Sequence, residues 1–272
     1  MSRRILVPFS GSPASAAAIP TLAHQHDAEV VALVLDLGQG QELEHLRDRA
    51  LDAGAVRVHV LDVREEFARD YAVPSLQAAL TAPDSDPLGA RLAAGLVAKK
   101  MAEIADIEDA TVVLDQGGDV STLWGRTGAC VWTRPASDAP DSAAEVEITF
   151  DRGVPAAING VPMIPTELIE ILNIIAGHHG VGRIDLPGAC GEAPAAVVLR
   201  AAYRALHTAA IPEDAAVPED AAVPEENGGA DPERVHGAVR VALRRGEHTV
   251  VECHLQQTVS EQTVSHQTVS QP

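Results

Sequence analysis

Aromatic side chains make up only 3% of the 272 residues, although hydrophobic residues reach 46%. The core must therefore be built from Ala, Val, Leu and Ile, which pack closely but gain little per contact. Positive charge is also scarce, with 20 Lys and Arg against 39 Asp and Glu and a formal net charge of -19. A nucleic-acid partner and an anionic membrane surface both need clustered Lys and Arg, so neither is expected. No apolar run approaches the ~18 residues that a spanning helix needs. The opening MSRRILVPFSGS has too short an apolar stretch for a secretory signal, so the cytoplasm is the expected location. Cysteine is nearly missing. Cys130, Cys190 and Cys253 are odd in number, far apart and without a CxxC pair. They read as small apolar residues, with neither a disulfide framework nor a zinc cluster. No GxSxG elbow appears either.

What is present is alternation. RILVPF is a short apolar run, Pro13 to His26 reads as a helix, and EVVALVLDL is a continuous run fit for a strand buried on both faces. ELEHLRDRALDAG carries Leu43, Leu46 and Ala50 at helical spacing and stops at Gly54. VRVHVLDV reads as a strand, REEFARDY as a helix start, residues 89–105 as a long amphipathic helix and ATVVLD as a further strand. Strands separated by helices imply right-handed crossovers, hence an α/β fold with a doubly wound parallel sheet. That sheet is expected in a nucleotide-binding-like domain over residues 1–133.

The grammar changes after the Pro/Asp/Ser-rich stretch from Arg134 to Ser142. AEVEITFDRGVPAAINGVPM holds two strand-like runs and an Asn159-Gly160 hairpin signal. A helix comes next with Thr166 as its candidate N-cap, then a short strand and the helix of EAPAAVVLRAAYRALHTA. Residues 134–208 read as a smaller, truncated α+β second domain. Residues 209–236 carry a hexapeptide repeated three times, and 8 of the 39 acids lie between Ile211 and Glu233. Pro and paired acids at that period make an extended, solvated linker. Residues 237–253 read as a hairpin turning near Arg245-Gly246, and residues 254–272 as a low-complexity tail of QTVS repeats.

The turn VPFSGSPAS allows two readings. Ser12 before Pro13 is a preferred N-cap before a preferred first helical residue, enough for a plain strand-to-helix corner. Alternatively Ser10, Gly11, Ser12 and Ser15 present hydroxyls and amides to a phosphate at a helix N-terminus. DLGQG places Asp36, Gly38 and Gln39 at the carboxyl end of the second strand, where open α/β sheets hold ligands, although such turns also occur without one. His178 and His179, beside a Gly at a helix end, read as caps for carbonyls rather than metal ligands.

Several long runs resemble the argininosuccinate synthases. LDLGQGQELEHLRDRALDAGAVRVHVLDVREEFARDYAVPSL is similar to that family's second strand, its Gly-Gln turn and the segment after it. PLGARLAAGLVAKKMAEIA is similar to its next long helix. GVPAAINGVPMIPTELIEILNIIAGHHGVGRID, EAPAAVVLRAAYRAL and GAVRVALRRGEHTVV resemble its second-domain elements. The resemblance implies an ATP-dependent ligase: citrulline is adenylated on its ureido oxygen, and aspartate then displaces AMP to give argininosuccinate, with pyrophosphate released. It implies ATP and Mg²⁺ as cofactors, with Ser10, Gly11, Ser12, Ser15, Asp36, Gly38 and Gln39 on the nucleotide side.

The chain departs from the family's motifs where the chemistry sits. Against a Ser-Gly-Gly-x-Asp-(Ser/Thr)-Ser loop it has Ser10, Gly11, Ser12, Pro13, Ala14, Ser15 and Ala16. In the citrulline-pocket pattern, two tyrosines fall at Ala82 and Asp86, a threonine at Ala90, a small residue at Arg91 and an arginine at Ala94, while Pro87, Leu88 and Gly89 match. Asp115 to Asp119 replace the loop that holds aspartate, and a second cut comes after GVGRIDL. Catalytic residues are therefore not assigned. Two functions stand: a ligase with impaired or repurposed activity, or a non-catalytic homologue acting as partner or regulator of an intact synthase. Assembly with copies of itself or with such a synthase is the expected partnership.

Overall fold

The computed structural model describes residues 3–40, 42–80, 90–113, 121–128, 130–186, 189–210 and 235–256. The Pro/acid repeats, the QTVS tail, and the segments 81–89 and 114–120 lie outside the described residues. The first half alternates as its periodicity predicts. Strands β1 (Arg4–Pro8), β2 (Glu29–Asp36), β3 (Arg57–Asp62) and β4 (Ala110–Val112) form a parallel sheet in the order β3-β2-β1-β4. Helices α1 (Pro13–His26) and α2 (Leu43–Asp52) connect the first three strands. A helical run of α3 (Arg64–Phe67), a π turn (Ala68–Ala72) and α4 (Val73–Ala78) comes after β3, and α5 (Ala90–Glu108) leads into β4.

Burial on both faces explains the unbroken apolar run of β2. Val30, Ala32 and Val34 join Ile5 and Val7 of β1 on one face, packed with Ile19 of α1 and Leu46 and Ala50 of α2. Val31, Leu33 and Leu35 join Leu6 on the other face, in a cluster that includes Phe67, Leu96, Met101 and Ile104. That second cluster continues without a break into Ile148, Phe150, Leu172 and Tyr203 of the second half. The two halves therefore share one core.

The second half, counted from residue 121 after the last parallel strand, is antiparallel. Strands β6 (Ala144–Asp151), β7 (Val154–Ile158) and β8 (Val161–Pro162) pair with the late hairpin β11 (Gly237–Arg244) and β12 (Glu247–Leu255) in the order β12-β11-β6-β7-β8. Three tight turns use the left-handed backbone region: Asn159-Gly160 (φ 50° and 76°), Arg245-Gly246 (48° and 85°) and Arg152-Gly153 (48° and 78°). The first two carry the turn signals read from the sequence. The third divides a stretch read as two strands into three. A smaller sheet, β5 (Arg126–Gly128), β10 (Ala189–Glu192) and β9 (Arg183–Leu186), lies apart from these. Helices α6 (Pro165–His178) and α7 (Pro194–Ala210) bury Leu168, Leu172, Val198 and Leu206 in the common core.

Two sequence expectations need correction. Thr166 does not cap α6. Ile164 takes that place with Pro165 at the first helical position, and the Thr166 side chain is buried one residue further on. Pro at the first position decides this, because it tolerates the missing N–H there and sets the entry angle. The cysteines are not three small apolar residues, since Cys130 and Cys190 form a disulfide with Cα atoms 6.2 Å apart and only Cys253 is free. The antiparallel pairing of β5 and β10 sets Gly128 opposite Cys190 and so brings together residues 60 positions apart, a proximity invisible in local spacing.

The irregular segment 131–134 runs against the end of α6, where the Arg134 N–H donates to the Gly177 carbonyl at 3.0 Å. A Cβ at Gly177 would run into the Trp132 carbonyl. Gly177→Ala is expected to lower stability by about 1–3 kcal/mol through overpacking, read from the urea midpoint with an unchanged slope.

Candidate functional site

Strands β1 and β2 end side by side, with Pro8 opposite Leu33, and the Phe9 N–H still reaches the Leu33 carbonyl at 2.8 Å. Two turns stand at this carboxyl edge of the sheet, where open parallel sheets hold ligands. In the first, Gly11 has φ 75° and Ser12 caps α1, its Oγ accepting from the Ser15 N–H at 3.1 Å. The Ser10 hydroxyl donates to Ser12 Oγ at 3.2 Å and lies 3.4 Å from Ser15 Oγ, while Ser15 Oγ donates to the Ser12 carbonyl at 2.9 Å. The structure thus brings Ser10, Gly11, Ser12 and Ser15 together, and their hydroxyls hold the turn itself. What faces outward is the positive end of the α1 dipole, from which Pro13 withholds one N–H.

In the second turn Asp36 Oδ1 accepts from the Gly38 N–H at 2.9 Å, and Oδ2 lies 3.3 Å from Arg64 Nε. The Gln39 amide closes on its own strand: Oε1 accepts from the Leu37 N–H at 2.7 Å and Nε2 donates to the Leu35 carbonyl at 2.8 Å. Both ends of Gln39 are therefore engaged, and the surfaces this turn keeps for a ligand are backbone. Arg64 also pairs with Asp62 at 2.8 Å and Glu170 at 3.2 Å, tying β3 to α6. Its hydrogen bond to Asp62 holds the guanidinium above its ordinary range and the Asp62 carboxyl below its own.

The second half grips this turn. The Leu123 N–H donates to the Leu37 carbonyl at 2.7 Å, and a Cβ on Gly38, which sits at φ 79°, would come within 2.5 Å of Leu123 Cβ. Buried Asn173 of α6 holds that segment in place, its Nδ2 donating to the Leu123 carbonyl at 2.7 Å while Oδ1 accepts from the Ala195 N–H at 2.9 Å. Arg126 Nη1 reaches the Gln39 carbonyl at 3.1 Å.

Arg126 stands opposite Glu192 in the β5–β10 pair, and its Nε donates to Glu192 Oε1 at 2.8 Å. Glu192 is 1% exposed. It accepts further from the N–H groups of Val131 (2.9 Å), Trp132 (3.1 Å) and Thr133 (2.8 Å), and from the Thr133 hydroxyl at 2.8 Å. Burial alone would raise its carboxyl, but these donors outweigh that and hold it below the ordinary carboxylate range. Arg126 lies over the Trp132 ring at 3.3 Å, and burial lowers its guanidinium against the opposing pull of Glu192. Sequence reasoning did not single out Arg126, Asn173 or Glu192. The available signal was three polar residues set among LWG, ILNII and EAPAAVV, where each needs a buried partner.

His179 accepts a capping role as expected, with its Nδ1 3.1 Å from the Ile175 carbonyl. Among the described residues no group of three or more His, Cys, Asp or Glu can hold a metal, and no helix is long and apolar enough to cross a membrane. Among the described residues near the two turns, nothing offers Mg²⁺ an uncommitted carboxylate set, since Asp36 is held by Gly38 and Arg64. The matches at Pro87 to Gly89 and the replaced loop from Asp115 to Asp119 lie outside the described residues, as does the Arg91 side chain.

Residues 4–118 match the family described as Arginosuccinate synthase N-terminal HUP domain, and residues 125–219 match Arginosuccinate synthase C-terminal domain. The argininosuccinate synthase of Dehalococcoides mccartyi is 30% identical over 286 aligned positions, covering 76% of this chain and 70% of the relative. That of Streptococcus thermophilus is 31% identical, covering 67% of this chain and 63% of the relative. That of Bacillus cytotoxicus is 29% identical, covering 75% and 71%. The chain thus spans about two thirds of the length of these relatives.

Glu192→Ala would leave Arg126 buried without its partner and is expected to cost about 3–5 kcal/mol in chemical denaturation. Because the folded carboxyl titrates below the ordinary 4.5, its contribution is complete above that pH and is lost as pH falls through the folded value, read as a Tm that drops in acid. Thiol titration of denatured, unreduced protein should find Cys253 alone, and reduction of the 130–190 bond should lower stability by about 2–4 kcal/mol.

Proposed function

The chain belongs to the argininosuccinate synthase family, and from that premise we propose that it is an ATP-binding member whose ligase chemistry is impaired or turned to another acceptor. The carrying observation is how the polar side chains of the two turns are spent. Ser10, Ser12 and Ser15 bond to one another and to the start of α1, and Gln39 bonds to its own strand. The nucleotide-binding scaffold is kept while fewer side chains remain to reach a ligand. An anion is then held by backbone N–H groups and the α1 dipole, a hold weakened by Pro13, which withholds one N–H. Mg²⁺ would arrive on the phosphates, because among the described residues near the two turns no uncommitted carboxylate set stands ready for it.

Ligation of citrulline with aspartate needs both acceptors oriented, and orientation carries a large share of such a barrier. The sequence replaces the tyrosines, threonine and arginine of the citrulline pattern at Ala82, Asp86, Ala90 and Ala94, and Asp115 to Asp119 replace the aspartate loop. These replacements support impaired or repurposed ligation. A second reading, a non-catalytic partner or regulator of an intact synthase in the cytoplasm, is favoured by the shared core, in which α6 and α7 keep their apolar faces while site side chains are lost. Assembly with itself or with an intact synthase is part of that reading.

Calorimetric titration with ATP and Mg²⁺ tests the first reading. Binding is expected in the parent chain and its loss in the Ser10→Ala, Gly11→Val double variant, because valine at φ 75° distorts the turn. No binding up to about millimolar ATP, some 4 kcal/mol of affinity, would sink it and favour the partner reading, checked by co-purification with an intact synthase.

A further inference from the structure

We propose that Arg126, a residue of the second half, is the positioning residue for the Gln39–Gly40 turn on the nucleotide side of the first half. The proposal rests on the nucleotide-binding reading of that turn. Three contacts on one guanidinium carry it. Nε is fixed by the Glu192 carboxylate at 2.8 Å, the planar group lies over the Trp132 ring at 3.3 Å, and Nη1 donates to the Gln39 carbonyl at 3.1 Å. The residue at the far end is just as confined, because a Cβ on Gly40 would stand 3.1 Å from Arg126 Nη1, and Gly40 has φ 72°.

The arrangement uses what distinguishes arginine from lysine. A guanidinium offers several N–H groups in one rigid plane, so it can bond a carboxylate with one edge and a carbonyl with another while stacking on an aromatic face. A lysine ammonium can satisfy Glu192 or reach Gln39, but it has neither the plane nor the span for both. Glu192 in turn is locked by Val131, Trp132 and Thr133, so Arg126 has little freedom to move away from the turn. Gln39 needs such an external hold. Its side chain is folded back onto Leu35 and Leu37, which fixes the strand end, whereas its carbonyl is met by Arg126. The Leu123 N–H on the Leu37 carbonyl fixes the start of the turn, and Arg126 fixes its end. The turn in the first half is thereby set by two donors from the second.

The test compares amide hydrogen exchange of the 36–40 segment in the nucleotide-free full chain with MgATP affinity by calorimetry. The variants are Arg126→Lys, which keeps the charge opposite Glu192, and the double change Arg126→Met with Glu192→Gln. The double change removes both charges at similar volume, so that no buried ion is left unpaired. Loss of a charge-assisted bond to Gln39 is expected to speed exchange in 36–40 by about tenfold, and to weaken MgATP by a similar factor. Exchange in β6 and β11, remote from the turn, is expected to stay at the parent rate. Unchanged exchange at 36–40 in whichever variant folds overturns the proposal, and so does faster exchange spread evenly over both halves, which marks a merely structural role. Faster local exchange with unchanged MgATP affinity overturns the link to the nucleotide. If the parent chain binds no MgATP, the nucleotide reading fails separately, and the exchange comparison alone decides whether Arg126 positions the turn.

Discussion

A carboxylate with 1% of its surface exposed is the constraint on which the second half is built. An ionised group so deep in the protein is tolerable only if every lone pair is met, and Glu192 meets this through one guanidinium, three consecutive N–H groups and one hydroxyl. Three N–H groups in a row cannot converge on one carboxylate from a regular strand, where successive N–H groups point to opposite sides. Residues 131–133 are therefore bent around it, and the strap lies against Gly177, where a side chain would not fit. The disulfide from Cys130 to Cys190 anchors the start of the same strap to the strand that carries Glu192. One buried charge thus explains an irregular loop, a glycine on a helix and the location of a crosslink.

The halves are not independent. On one face the parallel sheet is covered by α1 and α2, and on the other its apolar residues run into a cluster shared with Phe150, Leu172 and Tyr203. Apolar continuity alone would let the halves slide, since dispersion contacts are weakly directional. Directional bonds fix the register: Leu123 to Leu37, Arg126 to Gln39, Arg64 to Glu170. Packing supplies the attraction, and a few directional polar bonds select one arrangement from those that packing permits.

Much of this architecture was legible in the sequence because it depends on neighbours along the chain. The apolar run of β2, the spacing of Leu43, Leu46 and Ala50, and the Asn159-Gly160 and Arg245-Gly246 turns each state their own conformation. Ser12 before Pro13 marked the α1 cap for the same reason. The unread part depends on residues far apart in sequence. Cys130 meets Cys190 across 60 positions, and Arg126 meets Gln39 across 87. Strand β10 is only four residues long, and its pattern ACGE shows no alternation from which to read it. Thr166 misled because a threonine next to a helix start satisfies the cap rule, whereas the preceding proline had already fixed where the helix begins.

The candidate site obeys a similar economy. A polar side chain at a strand end can bond to its own turn or to a ligand, and each choice removes the other. Gln39 and the three serines have made the first choice, which stiffens the turns and leaves the backbone as the surface that a nucleotide would meet. Backbone N–H groups recognise charge and shape but transfer no protons, so such a surface suits holding a phosphate better than catalysing its displacement. The more the turns depend on their own side chains for shape, the more any chemistry must come from elsewhere. The geometry of the nearer turn is itself set from the second half, by Arg126 and Leu123.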